Sequence, residues 1–194
     1  MLQSKGIIPK LLAMSELPSS TGGPHVYPMA PLIRSTLVLL YLALVLPLPA
    51  FAAGAMRLWL LVMVVLGLVL VLALVSERVE LSAEGVRVGP APWCASVLKR
   101  GWQLSWGDVK ALVPVGTSQG GRVYYIRGGS QAHLLPQRVE RFDDFLVRFS
   151  SASGVDTSSV QRLTPPWTYQ LLAISSGLML AIELLAGLRW ITQI

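Results

Sequence analysis

Cysteine and histidine are nearly missing from this sequence of 194 residues. Cys94 is the single cysteine, and His25 and His133 are the only histidines. One thiol cannot form an internal disulfide, and so small an inventory excludes a cysteine or histidine cluster for zinc or an iron–sulfur centre. The sequence also contains no P-loop, HExxH or GxSxG motif. It therefore predicts a protein that is not an enzyme, with no catalytic, metal-binding or cofactor-binding residues.

Three remaining features have ordinary structural explanations. Cys94 has no histidine near it in the sequence to activate its thiol. The glycine-rich run 116–121 lacks the Lys-Ser/Thr pair of a P-loop and leads into a strand-like segment, so a hairpin loop explains it better. Asp143 and Asp144 are neighbours on a predicted helix and point about 100° apart, so their carboxylates cannot converge on a metal or a substrate.

Charged residues are also scarce, at 13%, whereas 53% of the residues are hydrophobic and the mean hydropathy is +0.59. This composition is too apolar for an ordinary soluble domain of this length, and it indicates a membrane protein. The net charge of +6 does not indicate a nucleic-acid partner, because the longest basic run is the pair Lys99–Arg100. Attraction to membrane lipid and the topology of the chain explain the basic excess better.

Three segments are long and apolar enough to cross a bilayer, namely Leu32–Phe51, Leu58–Val75 and Trp167–Leu188. As helices rising 1.5 Å per residue, they can each span roughly 30 Å of hydrocarbon. Only the short link 52–57 separates the first two, so the sequence predicts a helical hairpin followed, much later in the chain, by a third membrane helix.

Residues 34–53 also fit a second interpretation. Arg34, the apolar run after it and Ala50-Phe51-Ala52 resemble the basic, hydrophobic and small-residue parts of a secretory signal peptide. Cleavage there would leave the second apolar segment as an anchor. We favour the hairpin, because a simple secreted protein has no need of that anchor.

Basic residues near the apolar segments indicate an orientation. Lys5, Lys10 and Arg34 precede the first segment, whereas Arg57 alone lies in the hairpin link and Arg189 alone follows the third segment. Because cytoplasmic flanks carry the excess of lysine and arginine, the N-terminus and the long connection between the second and third segments are expected to face the cytoplasm.

The third apolar segment contains polar and small residues that predict a contact site. Glu183 lies near its end, and a carboxylate at the centre of a bilayer costs on the order of 2.5–3.5 kcal/mol. Glu183 therefore either reaches the headgroups and Arg189, or faces a helix of another protein. In the second case Ser175, Ser176 and Gly177 would permit close helix approach.

Between the second and third apolar segments the sequence changes to short alternating stretches typical of antiparallel strands. The turn sequences 82–85 and 128–131 predict two hairpins. In 138–150 the period becomes helical, with an aromatic face that would cover the sheet, while Trp102 and Trp106 are assigned to the core. The predicted strands lie at 79–81, 86–88, 102–106, 111–115, 122–127 and 133–135.

The stretches Leu81–Val88 (LSAEGVRV) and Leu104–Val109 (LSWGDV) resemble the bacterial pleckstrin-homology-like domains of small membrane proteins. Two membrane helices before such a domain are also similar to the arrangement in certain photosystem assembly factors of cyanobacterial and chloroplast thylakoids. The apolar segments predict three transmembrane helices, of which the third departs from that arrangement, and the resemblance implies an antiparallel β-sheet or barrel domain capped by a C-terminal helix. It further implies a scaffold or assembly factor without catalysis, which binds integral membrane subunits such as photosystem proteins in a thylakoid membrane.

Exposed aromatic side chains are further candidates for partner contacts, and Trp93 and Tyr125 are the two we predict. Two alternatives remain open: an accessory subunit of a transporter, and a lipid-headgroup sensor whose basic rim would use Lys99, Arg100, Arg122 and Arg127. The predicted divisions of the chain are a disordered segment 1–30, the hairpin 31–76, the β domain 77–154, a linker 155–166 and the third helix 167–190.

Overall fold

A computed structural model describes residues 23–99, 101–118, 120–129, 131–162 and 166–191. The helices are α1 (Pro31–Val45), a 3₁₀ turn (Leu48–Phe51), α2 (Ala55–Leu74), α3 (Pro92–Leu98), a second 3₁₀ turn (Trp106–Asp108), α4 (Phe142–Ser153) and α5 (Pro166–Ile191). The strands are β1 (His25–Pro28), β2 (Arg78–Leu81), β3 (Gly85–Gly89), β4 (Trp102–Ser105), β5 (Val109–Gly116), β6 (Arg122–Gly128) and β7 (Gln131–Leu134).

The strands form two antiparallel sheets, one in the order β1-β2-β3-β4 and the other in the order β5-β6-β7. The predicted turn after β2 closes as expected, since the Ser82 amide donates to the Gly85 carbonyl and the Ser82 hydroxyl accepts from the Gly85 amide. Gly85 also lies so close to the Leu104 carbonyl of β4 that no side chain would fit there. The six strands predicted between the apolar segments are confirmed, with ends that shift by a residue or two.

Helix α4 closes the space between the two sheets with its aromatic face, as the helical period predicts. Phe142, Phe145 and Phe149 are all buried, at perhaps 1.5–3 kcal/mol for each large side chain. Tyr27 of β1 and Trp106 meet Phe145 and Phe149 edge to face, each with ring centroids 5.6 Å apart. The sheets and α4 therefore share one core, and Trp102 and Trp106 pack against it while remaining partly exposed.

The prediction that residues 1–30 form one disordered segment is wrong for His25–Pro28. These residues are β1, which pairs along its whole length with β2, so that α1 and α2 are inserted between two neighbouring strands of one sheet. Four residues ending in proline are too few to display a strand period, which is why the pattern gave no signal. Residues 1–22 lie outside the described part of the chain.

The predicted linker 155–166 is also corrected as far as residue 162. Val160 is buried in the core and Val155 packs against it. The Tyr124 hydroxyl donates to the Ser159 carbonyl at 2.7 Å, which fixes this segment on β6. The sequence gives little sign of this attachment, because the segment is rich in serine and threonine and, as far as residue 162, its hydrophobic contacts with the core come from two isolated valines.

Three helical segments are long and apolar enough to cross a membrane: Pro31–Phe51, Ala55–Leu74 and Trp167–Gly187. Helix α1 lies between the other two. Its Tyr41 hydroxyl donates to the Val64 carbonyl of α2 at 2.7 Å, beside Gly67, where a side chain would collide with that hydroxyl. On its other side, the buried Thr36 hydroxyl is 3.3 Å from the Tyr169 carbonyl near the start of α5. Helices α1 and α5 therefore run parallel, away from the β domain.

A side-chain network fastens β1 to α4. The buried Tyr27 hydroxyl donates to Asp144 Oδ2 at 2.7 Å, and burial together with this carboxylate raises the Tyr27 pKa to about 12. Arg148 Nε donates to both oxygens of the same carboxylate at 3.2 Å. The first strand of the sheet is thus bonded to the helix that closes the core.

We expect Tyr27→Phe to lower the free energy of unfolding by about 1–2 kcal/mol, because it removes a hydrogen bond to a charged acceptor. Tyr125→Phe is the matched control, since the Tyr125 side chain is half-buried and its hydroxyl makes no hydrogen bond within the described residues. Thermal unfolding of the full chain in mild detergent, followed by near-ultraviolet circular dichroism, measures both. Equal melting temperatures for the two variants would contradict the role of the Tyr27 hydroxyl.

We also expect Asp144 to make the free energy of unfolding depend on pH in the acid range. The Tyr27 hydroxyl, followed by Arg148, lowers the Asp144 pKa below its ordinary value of 3.8. A carboxyl whose pKa is lower in the folded state stabilises the fold above its unfolded pKa, and this stabilisation is lost as pH falls through the folded pKa. The melting temperature of the Asp144→Asn variant should therefore fall less steeply than that of the wild type as the pH is lowered below about 4. Asp143→Asn is the control, because the Asp143 side chain is 89% exposed and its ion pair with Arg162, at 3.5 Å, is a surface pair of the kind that contributes little to stability.

Candidate functional site

A cleft of about 400 Å³ lies where the last turn of α2 meets the β domain. Ala73 and Leu74 of α2 form one side of it, and Trp102 at the start of β4 lies on the domain side. Much of the remaining lining is apolar and comes from the end of β3, from β7 and from the segment that joins β7 to α4, with Leu98 at the end of α3 beside them: Val88, Gly89, Pro90, Leu134, Leu135, Pro136 and Val139.

Backbone hydrogen bonds hold the walls of this cleft in place. The Met29 amide donates to the Glu77 carbonyl at 3.2 Å, which joins the beginning and the end of the helical hairpin. The Ala30 amide donates to the Arg138 carbonyl at 2.8 Å, and the Glu140 amide donates to the Pro28 carbonyl at 2.8 Å. The segment after β7 is therefore tied to the base of the hairpin, so the cleft is a fixed part of the fold.

Polar side chains lie at the edge of the cleft. Arg78 is occupied by an ion pair with Glu80 at 2.6 Å, and the Gln137 side-chain amide donates to the Gln161 carbonyl at 2.7 Å. Glu77 and Arg138 are exposed and take part in no ion pair among the described residues. An apolar interior with one acid and one base at its edge suits an amphiphilic molecule better than a small polar substrate.

The aromatic side of the cleft is a stack of two rings. Trp102 of β4 and His133 of β7 lie with centroids 4.6 Å apart and ring planes 18° from parallel. This stack bridges the two sheets beside the cleft. Within the described residues, no three His, Cys, Asp or Glu side chains are grouped to hold a metal ion.

Helix α3 packs on the end of α2 next to the cleft, and the sequence analysis missed it. Its Cys94 is buried, with Sγ 3.0 Å from the Ser76 hydroxyl, which in turn donates to the Ala73 carbonyl at 2.7 Å. Seven residues are too few for a helical period, and the proline in the first helical position was the one available signal. The Cys94 thiol faces hydroxyl and carbonyl groups, which do not activate it as a nucleophile.

Trp93 and Val97 point away from that contact, since Trp93 is one residue, or about 100° of rotation, from Cys94 on the helix. They are 58% and 82% exposed and four residues apart, so they form one apolar patch on the helix surface. We call Trp93 and Val97 the α3 patch. Tyr125, the other aromatic candidate, is half-buried in the middle of β6 opposite Leu134, which itself lines the cleft.

The four candidates on α5 differ in how far they are buried. Ser175 is exposed, and its hydroxyl donates to the Leu172 carbonyl at 3.0 Å. Ser176 is 3% exposed, so its burial does not favour it as a contact for another protein. Gly177 and Glu183 are half-buried.

Ser176 and Glu183 share one unusual property. The Ser176 hydroxyl and Glu183 Oε2 are buried and have no hydrogen-bond partner in the described structure. Seven residues apart, they lie on the same side of α5, in line with Tyr169, where that helix meets α1. Glu183 Oε2 is therefore covered by the chain itself, and whether the side chain also meets a partner stays a prediction.

Arg122 and Arg127, two of the four basic residues proposed for a lipid-binding rim, do not lie on one surface of the sheet. Arg122 and Arg127 are exposed, but their odd spacing along β6 places them on opposite faces of the strand. Lys99 follows α3, and Arg100 lies outside the described residues.

Comparison with known proteins gives one informative match. An uncharacterized protein of the cyanobacterium Synechocystis sp. is 44% identical over 171 residues, which cover 82% of this chain and 86% of that protein. No protein-family model and no solved structure matches the chain. The matched part of the chain is longer than the membrane helices or the β domain taken alone, so the similarity extends over residues of both.

Proposed function

We propose that this chain, which belongs to the same family as the Synechocystis protein, is an integral membrane protein without catalytic activity. It presents a pleckstrin-homology-like domain at the membrane surface and acts there as a scaffold or assembly factor for subunits of a membrane complex. A photosystem of a thylakoid membrane is the complex we propose, on the basis of the sequence resemblance and the cyanobacterial relative.

The observation that carries this proposal is the insertion of the hairpin between β1 and β2. Only residues 29–30 separate β1 from α1, and only 75–77 separate α2 from β2. Helix α5 also begins within a few residues of the domain, at Pro166. All three apolar helices thus leave the domain at the same end, and a bilayer around them would hold the domain against its surface in one orientation.

The architecture supports a binding domain of the type the resemblance implies. Two antiparallel sheets closed by α4 are compatible with a pleckstrin-homology-like β structure capped by a C-terminal helix. The insertion of two helices after the first strand is an additional feature of this chain. Because fold alone does not define function, the argument for partner binding depends on the surface of the domain.

The α3 patch is the part of that surface that best fits a protein partner. Its tryptophan is exposed on a helix that packs against the end of α2, where the domain would meet both the bilayer and neighbouring subunits. Exposed tryptophans at such positions are frequent anchors of interfaces. The alternative of a lipid-headgroup sensor is less well supported, since Arg122 and Arg127 point to opposite faces of β6.

We further propose that the domain faces the cytoplasm. In a Cys94→Ala background, Ala53→Cys in the hairpin link and Ala83→Cys in the β2–β3 turn are matched probes, because both alanines are exposed. In intact bacterial cells expressing the full chain, a membrane-impermeant maleimide should label the Ala53→Cys variant. It should label the Ala83→Cys variant only after lysis.

The two possible failures of that experiment have separate meanings. Labelling of both variants in intact cells, or of neither until lysis, would contradict a membrane-spanning hairpin. The reverse pattern would retain the hairpin and place the domain on the opposite side.

Affinity purification of the full chain in mild detergent tests the scaffold role. We expect membrane-complex subunits to co-purify, and Trp93→Ala to reduce their recovery at least tenfold. Truncating a tryptophan that anchors an interface costs about 2 kcal/mol of binding free energy, which is more than a tenfold loss of affinity. Trp59→Ala is the control, because Trp59 is similarly exposed, at 65%, but lies near the other end of α2. Purification of the chain alone, or equal recovery with both variants, would contradict the proposal.

A further inference from the structure

We infer that the cleft between α2 and the β domain is a lipid site, in which one hydrocarbon chain of a membrane lipid fills the apolar interior and the headgroup lies at the edge beside Glu77 and Arg138. This inference rests on the membrane placement proposed above, but not on the scaffold role.

The size and chemistry of the cleft fit a hydrocarbon chain. Its volume of about 400 Å³ lies within the range of about 300–1,000 Å³ that is usual for small-molecule sites. Leu135 and Val139 are buried residues of its wall, joined by Ala73 from α2. Because the cleft opens to the surface, its apolar lining would otherwise face water, and an apolar ligand would remove that surface from water.

The position of the cleft gives a lipid direct access. Leu74, one of its lining residues, belongs to the last turn of α2 and is itself exposed on the helix surface. Leu98, at the end of α3, lines the cleft from the neighbouring side. The apolar surface of α2 thus continues into the cleft, and a chain could enter from the bilayer without crossing water.

The edge of the cleft has the polarity that a lipid headgroup requires. Arg78 is neutralised by Glu80, so Glu77 and Arg138 supply the charges that are not already paired among the described residues. A guanidinium group donates well to phosphate oxygens, and a carboxylate accepts from headgroup hydroxyl or ammonium groups. Because Glu77 and Arg138 carry opposite charges, we expect the hydrocarbon chain of the lipid, and not the charge of its headgroup, to determine binding.

Native mass spectrometry of the full chain tests the site directly. The protein is purified in mild detergent, mixed with one equivalent of phosphatidylglycerol or of an uncharged diacyl glycolipid, and the retained lipid is counted. We expect about one retained lipid per chain for both probes. Leu134→Trp and Leu98→Trp, which enlarge side chains lining the cleft, should each reduce the retained fraction at least fivefold.

The control is Val147→Trp on α4, because Val147 is 65% exposed and does not line the cleft. Circular dichroism and the melting temperature identify any variant that fails to fold, and two cleft variants at different positions protect the test against such a failure. A lipid carrying a photoreactive group at its chain end should also crosslink to the segment 134–139 in the folded wild type.

Three results would overturn the inference: no retained lipid in the wild type, equal retention in cleft and control variants, or crosslinks confined to the membrane-facing surfaces of α2 and α5. Crosslinks that show a segment of protein, and not a lipid, occupying the cleft would overturn the inference as well. If the maleimide experiment still places the hairpin across the membrane, such a result removes the lipid site and leaves the proposed function standing.

Discussion

The pairing of β1 with β2 closes the chain around the helical hairpin, and the rest of the architecture depends on this pairing. Both ends of the hairpin are fixed in one sheet by cross-strand backbone bonds, from His25 opposite Leu81 to Pro28 opposite Arg78. The Tyr27 hydroxyl and Asp144 then connect this sheet to α4. An apolar helix pair on a flexible tether could turn freely, whereas this attachment fixes the direction in which α1 and α2 leave the domain.

A second constraint comes from the polar groups between the helices. The Tyr41 hydroxyl of α1 donates to the Val64 carbonyl of α2 at 2.7 Å. The buried Thr36 hydroxyl donates to the Leu32 carbonyl of its own helix at 2.7 Å and lies 3.3 Å from the Tyr169 carbonyl, at the contact of α1 with α5. In a bilayer there is little hydrophobic drive for helices to associate, and hydrogen bonds between helices contribute about 0.6–2 kcal/mol each. Close packing at Gly67 adds contact area at the same interface. Helix α1 therefore organises the three helices, and α5 joins the pair through it.

These constraints explain why the cleft and the α3 patch lie together. Ser76, in the link that follows α2, contacts Cys94 of α3, so the attachment of α2 to the domain also positions α3. The cleft lies on one side of this contact, and the α3 patch is exposed beside it. A lipid in the cleft would contact the last turn of α2, and a protein bound at Trp93 would contact the helix packed on that turn. The proposed lipid and partner surfaces thus share a single structural support.

The sequence by itself determined the elements that depend on local pattern. Long apolar runs predict the three helices, alternating stretches predict the strands from β2 to β7, and the spacing of Phe142, Phe145 and Phe149 predicts the helix that covers them, because these periods follow from backbone geometry alone. Only the tertiary structure decided that His25–Pro28 joins the sheet, that Pro92–Leu98 is a helix against α2, and that a cleft lies between the last turn of α2 and the β domain. Those segments are four and seven residues long, and they are held by contacts distant in the chain that no local period encodes.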